Sequence, residues 1–171
     1  TTDSNVTVGA GVLLKELIAN IVQKGFFLPV TPGTSKITVG GAIASDVHGK
    51  NHVKNGSFGD HLINLVILDG NGNLKTLKPN GALNSQNTDQ FNATIGGMGL
   101  TGVIIEAKIQ LRKISNTTME VYNEKFLNLK DLINKMVINE KEYEYNVAWI
   151  DCFDENFRSI LSSANHCYKS K

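Results

Sequence analysis

The stretch "GGMGLTGVIIEAKI", Gly96 to Ile109, decides between two folds. Gly97, Gly99 and Gly102 complete a G-x-G-x-x-G, the spelling of a dinucleotide-binding turn. In that turn the glycines follow a buried strand and open a helix, whose first N–H groups face a pyrophosphate. Here no helix opens. Val103, Ile104 and Ile105 follow at once, and then Ala107, Ile109 and Leu111 alternate with Glu106, Lys108 and Gln110. Alternation with period two among β-branched residues is a strand with one buried face. The spelling is right and the context is wrong, so a doubly wound parallel sheet is rejected.

The segments on either side agree. "LINLVILDGNGNLKTL" reads as a hairpin: Leu62 to Leu68 runs out, Asp69-Gly70 turns with Gly72 and Asn73, and Leu74 to Leu77 returns. "NVTVGAG", Asn5 to Gly11, is a short strand. Leu13, Leu17, Ile18, Ile21 and Val22 mark one face of a helix ending near Lys24, with Gly25 just past its end. Gly40 to Ser45 is a short, small-sided helix. The polar stretch Asn84 to Gln90 leads to a helical turn at Phe91 to Ile95. Further on come a strand near Met119 to Phe126, a helix from Leu129 to Val137 and a strand at Tyr145 to Phe153. Hairpins mixed with separated helices, without βαβ repetition, give an α+β fold with a largely antiparallel sheet flanked by helices.

Composition narrows the function. A chain of 171 residues, 41% hydrophobic, buries one core or one core plus an appendage. Seventeen basic and sixteen acidic residues leave a net charge of +1, without the basic stripe and interleaved aromatics that nucleic acid requires. No apolar run approaches the roughly 20 residues that span a bilayer, and no signal peptide is visible. The abrupt opening without Met reads as a piece of a longer protein, and the compartment stays open. Cys152 and Cys167 are too few and too far apart for a metal site, a redox pair or a disulfide framework. The N-glycosylation spellings "NVT", "NGS", "NAT" and "NTT" are what an Asn-rich chain yields by chance.

The chemically unusual region is Pro32 to Gly59, which holds "PGT", "VGGAIA", "HGK" and "GSFG". So many positions without a Cβ let backbone approach something flat or charged very closely. Gly40 and Gly41, ahead of a short helix, are expected to present free N–H groups to a phosphate. "ASDVHGKN" is not a Walker A loop, since Ala44 and Asn51 stand where that pattern needs Gly and Ser or Thr. His48 and His52 have the spacing of zinc ligands on a helix. Gly49 and Asn51 argue against the helix, Lys50 would repel a dication, and Asp46 is the one carboxylate nearby, so no metal is read here. His48 and Lys50 instead offer hydrogen-bond donors and positive charge to an anionic or redox-active group. Ser57 in "GSFG" lacks the strand–turn–helix setting of a nucleophile.

Together, "LPVTPGTSKITVGGAIASDVHGKNHVKNGSFGDHL" and "QFNATIGGMGLTGVIIEAKI" resemble the FAD-binding domain of the vanillyl-alcohol-oxidase superfamily. Within it they look most like the FAD-linked sugar oxidoreductases of the decaprenylphosphoryl-β-D-ribose 2′-oxidase type. "YEYNVAWID" resembles the segment that follows the FAD domain in that family, and beyond Phe153 the likeness fades.

The resemblance implies FAD as cofactor, held extended between two α+β subdomains. Residues 1–115 would be the second half of the FAD domain and 116–171 the start of a substrate domain. A first subdomain with the other pyrophosphate loop would precede Thr1, and most of the substrate domain, with a lysine by the flavin, would follow. Gly33 and Thr34 would line the flavin and diphosphate region. Thr38, Gly40 and Gly41 would give phosphate donors; Ser45, Val47 and His48 would run along the ribityl chain and flavin. Gly99, Gly102 and Ile104 would pack by the adenosine end. His48 would hold the flavin end of the pocket and Lys50 would orient the substrate. The implied chemistry is hydride transfer from a sugar hydroxyl carbon to flavin, with a sugar or lipid-linked sugar as substrate and a cell-wall polysaccharide precursor as its setting. A short-chain reductase is the implied partner. An aldonolactone- or alditol-oxidase-like flavoenzyme is the alternative, and a flavin-binding module without turnover another.

Overall fold

The computed structural model describes residues 4–79 and 86–167. The chain divides into two compact units, Thr1–Gly49 with Asn55–Lys113, and Lys50–Lys54 with Ile114–Lys171. Both are antiparallel sheets flanked by helices, so the α+β reading holds.

In the first unit, β1 (Asn5–Gly9) is followed by α1 (Leu14–Val22), the two-residue β2 (Phe26–Phe27) and the one-and-a-half-turn α2 (Val39–Ala44). A single turn, α3 (His52–Asn55), belongs to the second unit as far as Lys54; in the first unit a 3₁₀ turn, Gly59–His61, leads into the hairpin of β3 (Leu62–Leu68) and β4 (Leu74–Leu77). Then come α4 (Gln86–Thr94), β5 (Val103–Gln110) and β6 (Arg112–Lys113), which pairs with β2. The main sheet runs β1-β5-β3-β4. Its pairing is antiparallel throughout, and it turns the alternation of the opening stretch into a core: Ala107 and Ile109 are fully enclosed. On β3 the buried positions are Leu62, Leu65 and Ile67, a spacing of three and then two, because the register with β5 slips between Leu62 and Asn64. A bulge absorbs the extra residue and keeps both ends of the strand facing the core. α1 adds Leu14, Leu17 and Ile21, and α2 adds Val39, Ala42 and Ile43. Each wholly buried Leu or Ile in this cluster contributes about 1.5–3 kcal/mol.

Some boundaries differ from the sequence reading. α1 stops at Val22 with Gln23 as its cap, so Gly25, at φ 76°, lies two residues past the cap. α4 spans Gln86–Thr94, and its polar first turn carries no apolar period to announce it; Asn84 and Ser85 lie outside the described residues.

The hairpin turn is organised by one carboxylate. Asp69 Oδ1 accepts from the backbone N–H groups of Asn71 and Asn73, both at 2.9 Å, and Lys75 Nζ lies 2.9 Å from Oδ2. The Asn73 N–H first, then the Lys75 ammonium, hold the Asp69 carboxyl down at about 2, below its ordinary 3.8. A group whose folded value is depressed stabilises the fold above its unfolded value and loses that contribution as pH falls through the folded one. Asp69→Asn is therefore expected to lower the urea midpoint at neutral pH. The gap to wild type should close between about pH 4 and about pH 2, as urea titrations across that range would show.

The second unit is a three-stranded sheet in the order β7-β9-β8, from β7 (Met119–Phe126), β8 (Tyr145–Ile150) and β9 (Ser159–His166), with α5 (Leu129–Glu142) against one face. Asn128 caps α5 by accepting from Asp131 N at 2.9 Å. Leu132 and Leu161 form its apolar centre. Beside them Asn139 Nδ2 donates to Ser163 Oγ at 2.8 Å, and that hydroxyl donates to Asn146 Oδ1 at 2.7 Å. α5 runs past Val137 because the polar "NEKE" continues the helix without an apolar signal. β8 stops at Ile150 rather than at Phe153. The central strand β9 escaped the sequence reading: its buried face carries Ser159 and Ser163 with Leu161, so small polar residues mask the alternation.

Candidate cofactor site

α2 has two faces of different size. Val39, Ala42 and Ile43 enter the core, while Gly40, Gly41 and Ala44 are left to line a cleft of about 420 Å³. Ala10 and Gly11, at the end of β1, form one side of it. Met98, Gly99, Gly102, Val103 and Ile104 form the other. No lining side chain is ionisable.

The backbone of α2 is already committed. Val39 N donates to Val12 O at 2.9 Å, Gly40 N to Ala10 O at 2.8 Å, and Gly41 N to Thr38 Oγ1 at 3.1 Å. The expectation of free N–H groups at Gly40 and Gly41 is therefore corrected: the first turn of α2 spends its donors on the turn that follows β1 and on its own N-cap. What these glycines supply is closeness. A Cβ on Gly40 would crowd Ala10 Cβ at 3.0 Å and Ala10 O at 3.3 Å, so glycine eases the close approach of the helix to the turn after β1. Thr38 Oγ1 accepts from Gly41 N, a bond that does not use the hydroxyl's own hydrogen, and Thr38 lines the cleft.

The loop that opened the sequence reading lies along α2. Gly96 N donates to Ile43 O at 3.0 Å and Met98 N to Ala44 O at 2.9 Å, satisfying carbonyls at the end of the helix. Gly102 closes the loop at φ 139°, and a Cβ there would stand 2.5 Å from Leu68 O.

The predicted site residues are thus only partly gathered. Thr38, Gly40, Gly41, Gly99, Gly102 and Ile104 share the cleft. Gly33 and Thr34 lie on an exposed turn in which Thr34 Oγ1 accepts from Lys36 N at 3.2 Å, and Ser35 O accepts from Lys15 N of α1. Ser45 is the C-cap of α2, Val47 packs against the core, and exposed His48 pairs with Ser57 in a short bridge. Lys50 is exposed and falls in the second unit, where its carbonyl accepts from Asn146 N at 2.9 Å. Sequence reasoning missed Ala10, Gly11, Ala44, Met98 and Val103. The small pair Ala10-Gly11 at a strand end was the available signal. Among the described residues, no cluster of three or more His, Cys, Asp or Glu could hold a metal.

Gly11 provides a test of fit. A Cβ built on it meets no atom within 4 Å, and its backbone is not left-handed, so packing does not require a glycine there. An uncharged cleft lined by glycines and a few apolar side chains, with the Thr38 hydroxyl among them, suits the flat and neutral parts of a dinucleotide. Its volume takes part of such a molecule rather than the whole.

Comparison with known proteins agrees. Residues 1–78 match the family model described as "FAD binding domain". The chain is 38% identical over 151 residues to decaprenylphosphoryl-beta-D-ribose oxidase of Mycolicibacterium smegmatis, covering 88% of this chain and 32% of that protein. It is 34% identical to D-lactate dehydrogenase of Archaeoglobus fulgidus, over 64% of this chain and 25% of the relative. To D-arabinono-1,4-lactone oxidase of Eremothecium gossypii it is 29% identical, over 70% and 22%. The chain thus spans about a third or less of the length of these relatives.

Proposed function

From the match of residues 1–78 to an FAD binding domain we propose that the chain forms the cofactor-binding portion of an FAD-dependent oxidoreductase that converts a sugar hydroxyl to a ketone. The observation that carries the reading is the cleft between α2, the end of β1 and the 96–102 loop. Glycines make up much of its lining, including Gly11, where the fold would accept a side chain. The names of the three relatives contain a ribose, an arabinonolactone and a lactate, and those molecules share a CH–OH group.

Bound FAD supplies the acceptor for the hydride leaving the carbinol carbon. The residues of this chain bind and orient. Gly40, Gly41, Gly99 and Gly102 let backbone lie against the cofactor, Ile104 adds apolar contact, and Thr38 donates a hydroxyl proton. Gly33, Thr34, Ser45 and Val47 extend the site along the cofactor. His48 holds its flavin end and Lys50 places positive charge by the substrate, where it favours a developing anion. The keto sugar so formed would pass to a short-chain reductase.

Anaerobic mixing of the full-length protein with phospho-pentoses and lipid-linked pentoses tests this. Bleaching of the visible flavin band by one of them is the expected result. A flavin that D-lactate bleaches and no sugar does would overturn the substrate class.

A further inference from the structure

We propose that Asp46 is a positioning residue for this site, holding the segment after α2 and two glycine loops in one arrangement; the inference rests on the cofactor reading above. α2 ends in a Schellman turn: Asp46 N donates to Ile43 O and Val47 N to Ala42 O, both at 3.0 Å. Such a turn places the residue after the cap in the left-handed region, where glycine is the usual occupant. Asp46 occupies it at φ 41°. Aspartate tolerates this region better than most residues but less well than glycine. Elsewhere left-handed backbone is held by glycine at Gly96 and Gly99 and by Met98 and Phe157; at position 46 the side chain has a use.

That use is visible. Asp46 Oδ1 accepts from Gly59 N at 2.9 Å, in a partly buried bond. Asp46 Cβ lies so near the glycine loop that a Cβ on Gly96 would come within 3.3 Å of it. Two sets of contacts depend on this placement. Phe58, next to Gly59, donates its N–H to Val47 O at 2.9 Å, and Ser57 pairs with His48, so the Gly59 contact fixes the segment carrying Val47 and His48. Gly96 and Met98 donate to Ile43 and Ala44, so the Gly96 contact fixes the loop that lines the cleft. One side chain thus ties the cleft to the His48 segment.

Asp46→Gly separates this role from plain stability, because it relieves backbone strain while deleting the acceptor. The full-length protein would be compared with Asp46→Gly and Asp46→Asn by three readouts: FAD affinity from flavin fluorescence, visible circular dichroism of bound flavin, and thermal unfolding of the cofactor-free form. Asp46→Gly is expected to bind FAD about tenfold more weakly, the equivalent of one lost hydrogen bond. Its flavin dichroism should change while its thermal midpoint stays near wild type. Asp46→Asn keeps an acceptor and the left-handed tolerance, and should restore affinity and spectrum. Wild-type affinity and dichroism in Asp46→Gly would overturn the proposal, as would an Asp46→Asn as weak as Asp46→Gly. Failure of the wild type itself to bind FAD would instead overturn the cofactor reading and take this inference with it.

Discussion

Gly11→Leu is expected to leave the fold intact and to weaken FAD binding by about 100-fold or more. The position is exposed, a Cβ there touches nothing within 4 Å, and its φ lies outside the left-handed region, so the unbound protein loses no contact and gains no strain. Surface substitutions of that kind change stability by about 0.5 kcal/mol or less. The residue nevertheless lines the cleft, and a leucine side chain would take up volume that the cofactor needs. Displacing a ligand from one end of its site removes several contacts at once, and each 1.4 kcal/mol lost is about tenfold in affinity. Urea unfolding of the cofactor-free protein and an FAD titration, run side by side, would show whether stability and binding separate in this way.

Gly102→Ala is expected to do the reverse and to act first on the fold. At φ 139° any side chain is strained, at about 1–3 kcal/mol. The new methyl would also stand 2.5 Å from Leu68 O and 3.4 Å from Asp69 Cα, backbone atoms held in the β3–β4 hairpin. Strain and clash together should destabilise the first unit by about 3 kcal/mol or more and shift the 96–102 loop, so FAD affinity falls along with the urea midpoint. A Gly102→Ala protein as stable as wild type would mean that the loop closes differently from the geometry described.

Much of this was legible in the chain because local rules decided it. The alternation of Ala107 and Ile109 with polar neighbours showed the buried face of β5, though the strand ends at Gln110, before Leu111, and Asp69-Gly70 with Gly72 marked the hairpin to the residue. The small-sided helix could also be read, Gly40 to Ser45 in the sequence and Val39–Ala44 in the structure, but of the glycines between Pro32 and Gly59 only Gly40 and Gly41 line the cleft. What escaped depended on partners distant in sequence. The donors of Gly40 and Val39 are consumed by Ala10 and Val12, about 30 positions earlier, which no spacing rule reveals. Ala10 and Gly11 read as the ordinary end of a strand until α2 is folded against them. Lys50 stands two positions from His48, yet Lys50–Lys54 gathers with the second unit through contacts such as Asn146 to the Lys50 carbonyl. β9 was hidden because buried serines replace the apolar half of its period.

The most direct test of the central claim is the visible absorbance spectrum of the full-length protein purified without added flavin, with the cofactor it releases on denaturation identified. Flavin absorption bands and the release of FAD, not FMN or a nicotinamide dinucleotide, are the expected result. A colourless protein that also fails to take up added FAD would contradict it, and the bare surface around Gly11, Gly40 and Gly99 would then be only a set of close turns.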